Sequence, residues 1–226
     1  MNRLRSLGVT LAGLLRSTRG VAMIEFAYAT PVIMVMGLYG LELSSYGLAN
    51  LRASQIAANL ADTASRIGEN IPLANKQIRE SDINDAFQAV RLQSAGIDIP
   101  NRGRIILSSL ERNAAGGQWI HWQRCLGRKN VVSSYGVAGA GATGTGFPGM
   151  GPPGQPPITA PPASAVMFVE VNVDYRPVVH ERLLGPKVIH AKAAFLVRDR
   201  RDLAPANNPS NPAPAATRAT CNLFNP

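Results

Sequence analysis

The chain is poor in the residues from which most catalytic and metal-binding signatures are built. It has three histidines and two cysteines in 226 residues. His121, His180 and His190 come from different segments and lack a paired spacing such as HExxH, which argues against a metal site. There is no GxSxG elbow, no P-loop and no convincing Cys-His nucleophile pair, so catalysis has no positive signal. Aromatic residues make up only 6% of the chain, and no internal repeat is evident. Acids are missing from the first twenty residues, where Arg3, Arg5, Arg16 and Arg19 all precede an apolar run. The formal net charge of +9 invites a nucleic-acid partner. The remaining basic residues are scattered among acids, however, and there is no RNA-recognition motif, zinc-finger spacing or basic helix, so no nucleic acid is expected.

What is present is a basic block, a long hydrophobic span, and glycine and proline in quantity (21 and 17), concentrated late in the chain. The length suits one medium-sized domain with an anchor or tail. A one-sided arginine block beside a hydrophobic span sets membrane orientation and keeps the N-terminus in the cytoplasm. The two cysteines, Cys125 and Cys221, then lie outside the cytoplasm, where an even count permits one disulfide; two unpaired thiols are the alternative. Such a bridge would stabilise by about 4 kcal/mol in the chain-entropy model.

Four segments follow from the pattern: a basic leader over 1–20, a transmembrane helix over 21–43, a folded domain over 44–203, and a Pro/Asn-rich tail over 204–226. From Val21 to Leu43 the residues are apolar apart from Glu25, Thr30 and Glu42. As a helix this stretch is roughly 35 Å long, enough to cross a bilayer core of about 30 Å. Pro31 lies inside it, which membranes tolerate. Leu51, Ile56, Leu60, Ala64 and Ile67 then recur at helical spacing, so one helix is expected over 21–68. Ile71-Pro72 and Asn75 interrupt it. A second helix starts with Ser81 as N-cap and places Ile83, Phe87 and Val90 on one face.

The period then changes to two. Residues 104–112 and 118–125 predict two strands joined through a Gly-containing loop, 165–179 a long third strand and 189–197 a fourth. Gly136 to Pro162 is too poor in large apolar residues to pack a core and is expected to be a mobile exposed loop. The tail is expected to be disordered except near Cys221. Gly139, Gly141 and Gly144 match a dinucleotide fingerprint by letter, but Pro148, Pro152 and Pro153 follow where the phosphate-binding helix should begin; no cofactor is expected. Asp82/Asp85 and Glu170/Asp174 could serve acid–base chemistry only within a cleft, and the first pair suits a helix start.

Glu25 is the informative residue. Five positions after Gly20, with apolar neighbours, it lies inside the hydrocarbon boundary at a cost of about 1–3 kcal/mol if unpaired. An intramembrane carboxylate calls for a partner. A cut between Gly20 and Val21 would create one, the α-amino group of Val21, one helical turn away and able to meet Glu25 of a neighbouring chain. Such pairing in low dielectric would set the axial register of packed helices.

A basic leader ending in Gly20, four apolar residues, Glu25 and Phe26 resembles the type IV prepilin processing site. The stretch RGVAMIEFAYATPVIMVMGLYGLEL is similar to the TadE-like minor pseudopilins of tight-adherence (Flp) pili, in which an acid, a Phe, a small residue and a later proline recur, here Glu25, Phe26, Ala27 and Pro31. The resemblance covers about a tenth of the chain. It implies cleavage after Gly20 by a membrane prepilin peptidase, which does the chemistry in place of this chain. It also implies other pilins and pseudopilins, the inner-membrane pilus assembly platform and membrane lipid as partners. The chain would sit in the bacterial inner membrane with its domain in the periplasm and enter a surface pilus. Major Flp pilins carry Glu-Tyr and are very short; Phe26 and the large domain here point to a minor component. The long Gly/Pro loop has no counterpart in the family motif.

Two rivals stand beside it. One is a secreted protein cleaved between Ala49 and Asn50, which the length of the apolar run and Glu42 disfavour. The other is a single-pass, membrane-anchored periplasmic binding domain without processing. The expected fold is α+β: a long N-terminal helix, its first half transmembrane, on a small antiparallel sheet of about four strands. Within the span, Tyr28, Met34, Met36 and Tyr39 suit helix packing and lipid contact.

Overall fold

The computed structural model describes residues 19–69 and 75–225. Most of the expected leader and the Ile71-Pro72 break lie outside these residues. The fold is α+β. Helix α1 (Arg19–Arg66, 48 residues) is followed by α2 (Glu80–Gln93), the short α3 (Ile99–Arg102), strands β1 (Gly103–Arg112), β2 (Gln118–Leu126) and β3 (Val166–Asp174), the short α4 (Glu181–Leu184), and β4 (Val188–Leu196). The chain divides into two compact units. One contains α1 through Ser45 with Pro177–Leu184; the other contains residues 46–176 and 185–226.

In the first unit the helix is bare. Met23, Phe26, Tyr28, Ile33 and Met36 are each more than half exposed. Pro31 offers no N–H to the carbonyl one turn back, while the Thr30 hydroxyl donates to the Phe26 carbonyl at 2.7 Å and that of Ser44 to the Gly40 carbonyl at 2.8 Å.

The second unit is built on a four-stranded antiparallel sheet in the order β2-β1-β3-β4. Ile105 pairs with Leu126 and Val171, and Val171 in turn with Ala191. The β1–β2 register slips between Ser109 and Leu110, a bulge that leaves His121 as the extra residue. Strands β1 and β3 are buried on both faces. Against one face lie α2 and the second half of α1, which is buried along Ala49, Ala53, Ile56, Ala57, Leu60, Ala61 and Ala64. Leu51, expected in that stripe, is 60% exposed. Five residues separate it from Ile56, which turns it off the face, and alanines carry the seam in its place. The helix ends at Arg66, near the expected 68.

Ile83, Phe87 and Val90 of α2 are buried, as their spacing predicts. The N-cap is Arg79 and not Ser81. The Asp82 carboxylate accepts the Arg79 backbone N–H at 2.9 Å, while the tail holds the entering chain, the Glu80 N–H donating to the Ser210 carbonyl at 2.9 Å. The third strand also stops early. It ends at Asp174, and the expected continuation to Val179 leaves the sheet at Pro177, which has no N–H for a ladder.

Two expectations from composition are overturned. Gly136–Pro162 covers the other face of the sheet. Met150 and Ala160, fully buried, close over Leu110, Ile120, Val166 and Phe168, with Phe147, Ile158 and Tyr135 packed against them. Few apolar residues suffice because the sheet supplies the rest of that core, and polar side chains tie the segment down. Asn113 Nδ2 donates to the Gly141 and Gly144 carbonyls at 2.8 and 2.7 Å, and the Gln118 amide brackets the backbone of Ala160. Gly141 has φ of +77°, and a Cβ there would lie 2.3 Å from the Gln118 carbonyl oxygen; only glycine lets the segment come this close. The glycines of the dinucleotide-like run therefore form turns, with no helix after them. The tail is packed as well: Asn208 and Ser210 are buried, and the Ser210 N–H donates to the Ile78 carbonyl at 2.8 Å.

Candidate functional site: an exposed apolar helix

The residues singled out for processing and assembly share one element. Gly20 lies in the first turn of α1, with nothing within 4 Å of a Cβ placed on it. Val21, Glu25, Phe26 and Pro31 are exposed along the same helix, and helical spacing puts Glu25 one turn from Val21 on one face. The helix is apolar and long enough to cross a membrane, and none of its most hydrophobic stretch is buried within the molecule. An uncovered apolar surface of this extent requires lipid or other helices around it.

The second acid of the span behaves differently. Glu42 is fully buried, in contrast to its neighbours Leu41 and Leu43. Its carboxylate accepts the Val178 N–H at 3.1 Å and the Val179 N–H at 2.7 Å. The only hint in the sequence was an acid at the far end of an apolar run; its partners are 136 and 137 positions away.

In the second unit the structure pairs Cys125 with Cys221 in a disulfide. Beside it the Arg104 guanidinium is buried among carbonyls, Nη1 donating to Gly127 and Leu223 at 2.7 and 2.8 Å and Nη2 to Cys221 at 2.5 Å; burial lowers its pKa. Arg201 closes the C-terminal end of α1, Nη2 donating to the Ala64 and Ile67 carbonyls, both at 2.9 Å. Burial pushes its pKa down to about 10, which still leaves it a cation at neutral pH, matched to the helix dipole.

Ser109, Glu111 and His121 are brought together without forming a nucleophile-and-base pair. Ser109 Oγ donates to Glu111 Oε1 at 2.6 Å, Asn208 Nδ2 to the same oxygen at 2.8 Å, and His121 Nδ1 faces Glu111 Oε2 at 3.0 Å. The serine is spent on the carboxylate and fully buried, whereas an activated nucleophile needs a hydrogen bond to its base and access to substrate. His180 and His190 are exposed. Among the described residues no three His, Cys, Asp or Glu side chains group as metal ligands. No family model, curated protein or solved structure matches the chain.

Glu170 is buried on the face covered by the Gly/Pro segment, held by the Ser133 hydroxyl and by the Ser134 N–H at 2.9 Å. Burial raises its pKa, outweighing these bonds and the nearby Lys192, which lower it. A carboxyl with a raised folded-state pKa stabilises the fold when protonated. That contribution is present below the ordinary Glu value and is lost as pH rises through the raised one. Lowering the pH from neutral towards the ordinary Glu range should therefore raise the melting temperature of the native protein relative to Glu170→Gln. A difference between the two that stays constant with pH would rule this out.

Proposed function

We propose that this chain is a minor pseudopilin of the TadE-like kind, an assembly component of a tight-adherence pilus, cut after Gly20 by a prepilin peptidase and joined to other pilins through α1. Its place before assembly would be the bacterial inner membrane, N-terminus in the cytoplasm and domain in the periplasm, in contact with the inner-membrane assembly platform. The observation that carries this reading is a bare apolar helix with a single exposed acid, Glu25, one turn after Val21. An ordinary anchor has no use for a carboxylate at that depth. A new α-amino group at Val21 would give it a partner, within the chain or on the next.

The test is the N-terminus of the protein recovered from native membranes, by intact mass and peptide mapping. A start at Val21 is expected. A start at Met1 would leave an anchored binding domain, and one at Asn50 a secreted protein; either result ends the pseudopilin reading. Replacing Gly20 with a bulkier residue should abolish the cut, whereas Glu25→Leu should be cut normally yet be depleted from assembled filaments. Glu25→Leu entering filaments at the native level would remove the register role.

A further inference from the structure

We infer that Pro177–Leu184 is a footing on the membrane surface, seated on anionic phospholipid headgroups where α1 leaves the bilayer. The inference rests on α1 spanning the membrane, as proposed above, and adds a second, peripheral contact. From Gly20 to Glu42 a helix rises roughly 33 Å, about the thickness of the hydrocarbon core, so Glu42 sits at its outer boundary. The Val178 and Val179 N–H groups donate to that carboxylate, which fixes Pro177–Leu184 beside the exit point. Irregular backbone is not tolerated facing hydrocarbon, so the segment must occupy the headgroup layer.

Its side chains suit that layer. Val178 is 65% exposed although its backbone is tied down, and Leu183 and Leu184 are half-buried. His180 and Arg182 are exposed, and the sequence flanks the segment with Arg176 and Lys187, against the lone acid Glu181. A short apolar edge with an excess of basic side chains is the composition that binds an anionic interface.

The experiment uses the full chain in nanodiscs of equal parts phosphatidylcholine and phosphatidylglycerol, with chain-brominated lipid as quencher. Two reporters are compared with the parent, whose Trp119 and Trp122 set the background: Met36→Trp in the span and Val178→Trp in the footing. Quenching of Val178→Trp by lipid brominated near the headgroup should exceed the parent's by about twofold or more, and should fall when Arg182→Glu is added or when phosphatidylglycerol is omitted. Met36→Trp should be quenched by deeply brominated lipid under every condition. Quenching of Met36→Trp but not of Val178→Trp overturns the footing while leaving the span intact. Failure of both overturns the spanning helix and the footing together. A blue-shifted Val178→Trp emission without lipid quenching would mean that a second copy of the chain covers the segment, and also overturns the proposal.

Discussion

Glu80→Ala should lower the stability of the folded domain by about 3–5 kcal/mol, the usual cost of stripping one partner from a buried ion pair. Glu80, 1% exposed, opens α2 and reaches the guanidinium of Arg124 on β2, where Arg124 Nε donates to Oε2 at 2.8 Å and Nη2 to Oε1. Without the carboxylate, Arg124 keeps, among the described residues, its Nη1 bond to the Gln123 carbonyl at 2.8 Å and the placement of its guanidinium over the Trp122 ring. Exposed Arg218, 3.6 Å from the same carboxylate, adds little because solvent screens it. Replacing both residues with apolar ones of similar size should be far milder than the single change, since no unpaired charge remains. The check is chemical denaturation of the full-length protein in detergent, followed by the fluorescence of Trp119 and Trp122. A loss below about 1 kcal/mol for Glu80→Ala would mean that water reaches Arg124 and the pair is not dry.

Removing the disulfide should cost about as much. Cys125 and Cys221 are 96 positions apart, and closing a loop of that size restricts the unfolded chain by about 4–5 kcal/mol. Native contacts add to this. The tail pairs with the end of β2, the Cys125 N–H donating to the Ala219 carbonyl at 2.7 Å and the Gly127 N–H to Asn225 at 2.8 Å, and it supplies two of the carbonyls that hold Arg104. Cys125→Ala with Cys221→Ala should unfold at lower denaturant and with a steeper slope, because the unfolded chain without its cross-link exposes more surface. It should also lose its last residues to limited proteolysis first, because hydrogen bonds, those from Arg104 among them, then hold the tail without a covalent tie. Equal midpoints for the oxidised protein and this variant would show that the tail is held by its hydrogen bonds and the disulfide is dispensable.

The elements legible in the sequence are those with a local signal. An unbroken apolar run followed by a 3.6-residue period yields α1 almost to its last turn, and the period of two yields all four strands within a residue or two, apart from the end of β3. Leu51 lies off the buried stripe because the helix approaches the sheet through alanines, a choice made by the distance between elements and not by hydrophobicity. The N-cap moved from Ser81 to Arg79 because a strand-like bridge from Ser210 extends the chain there. For the Gly/Pro segment and the tail, composition alone is a poor guide, because both pack against elements far along the chain. A segment with three or four apolar side chains cannot make a core, yet it can complete one that a sheet has already laid out.

By itself the sequence determined that a bare, membrane-length helix begins the described chain, that Glu25 stands alone near its start, and that a small antiparallel sheet follows. These depend on the order of neighbouring residues. Only the tertiary structure decided that Glu42 is consumed by the backbone of Val178 and Val179, that Glu80 meets Arg124, that Arg201 closes α1, and that glycine-rich chain covers one face of the sheet. Each of these satisfies a buried polar group or apolar face with a partner far along the chain. Partners of that kind are selected by the free-energy cost of leaving the group unpaired, which no local pattern records.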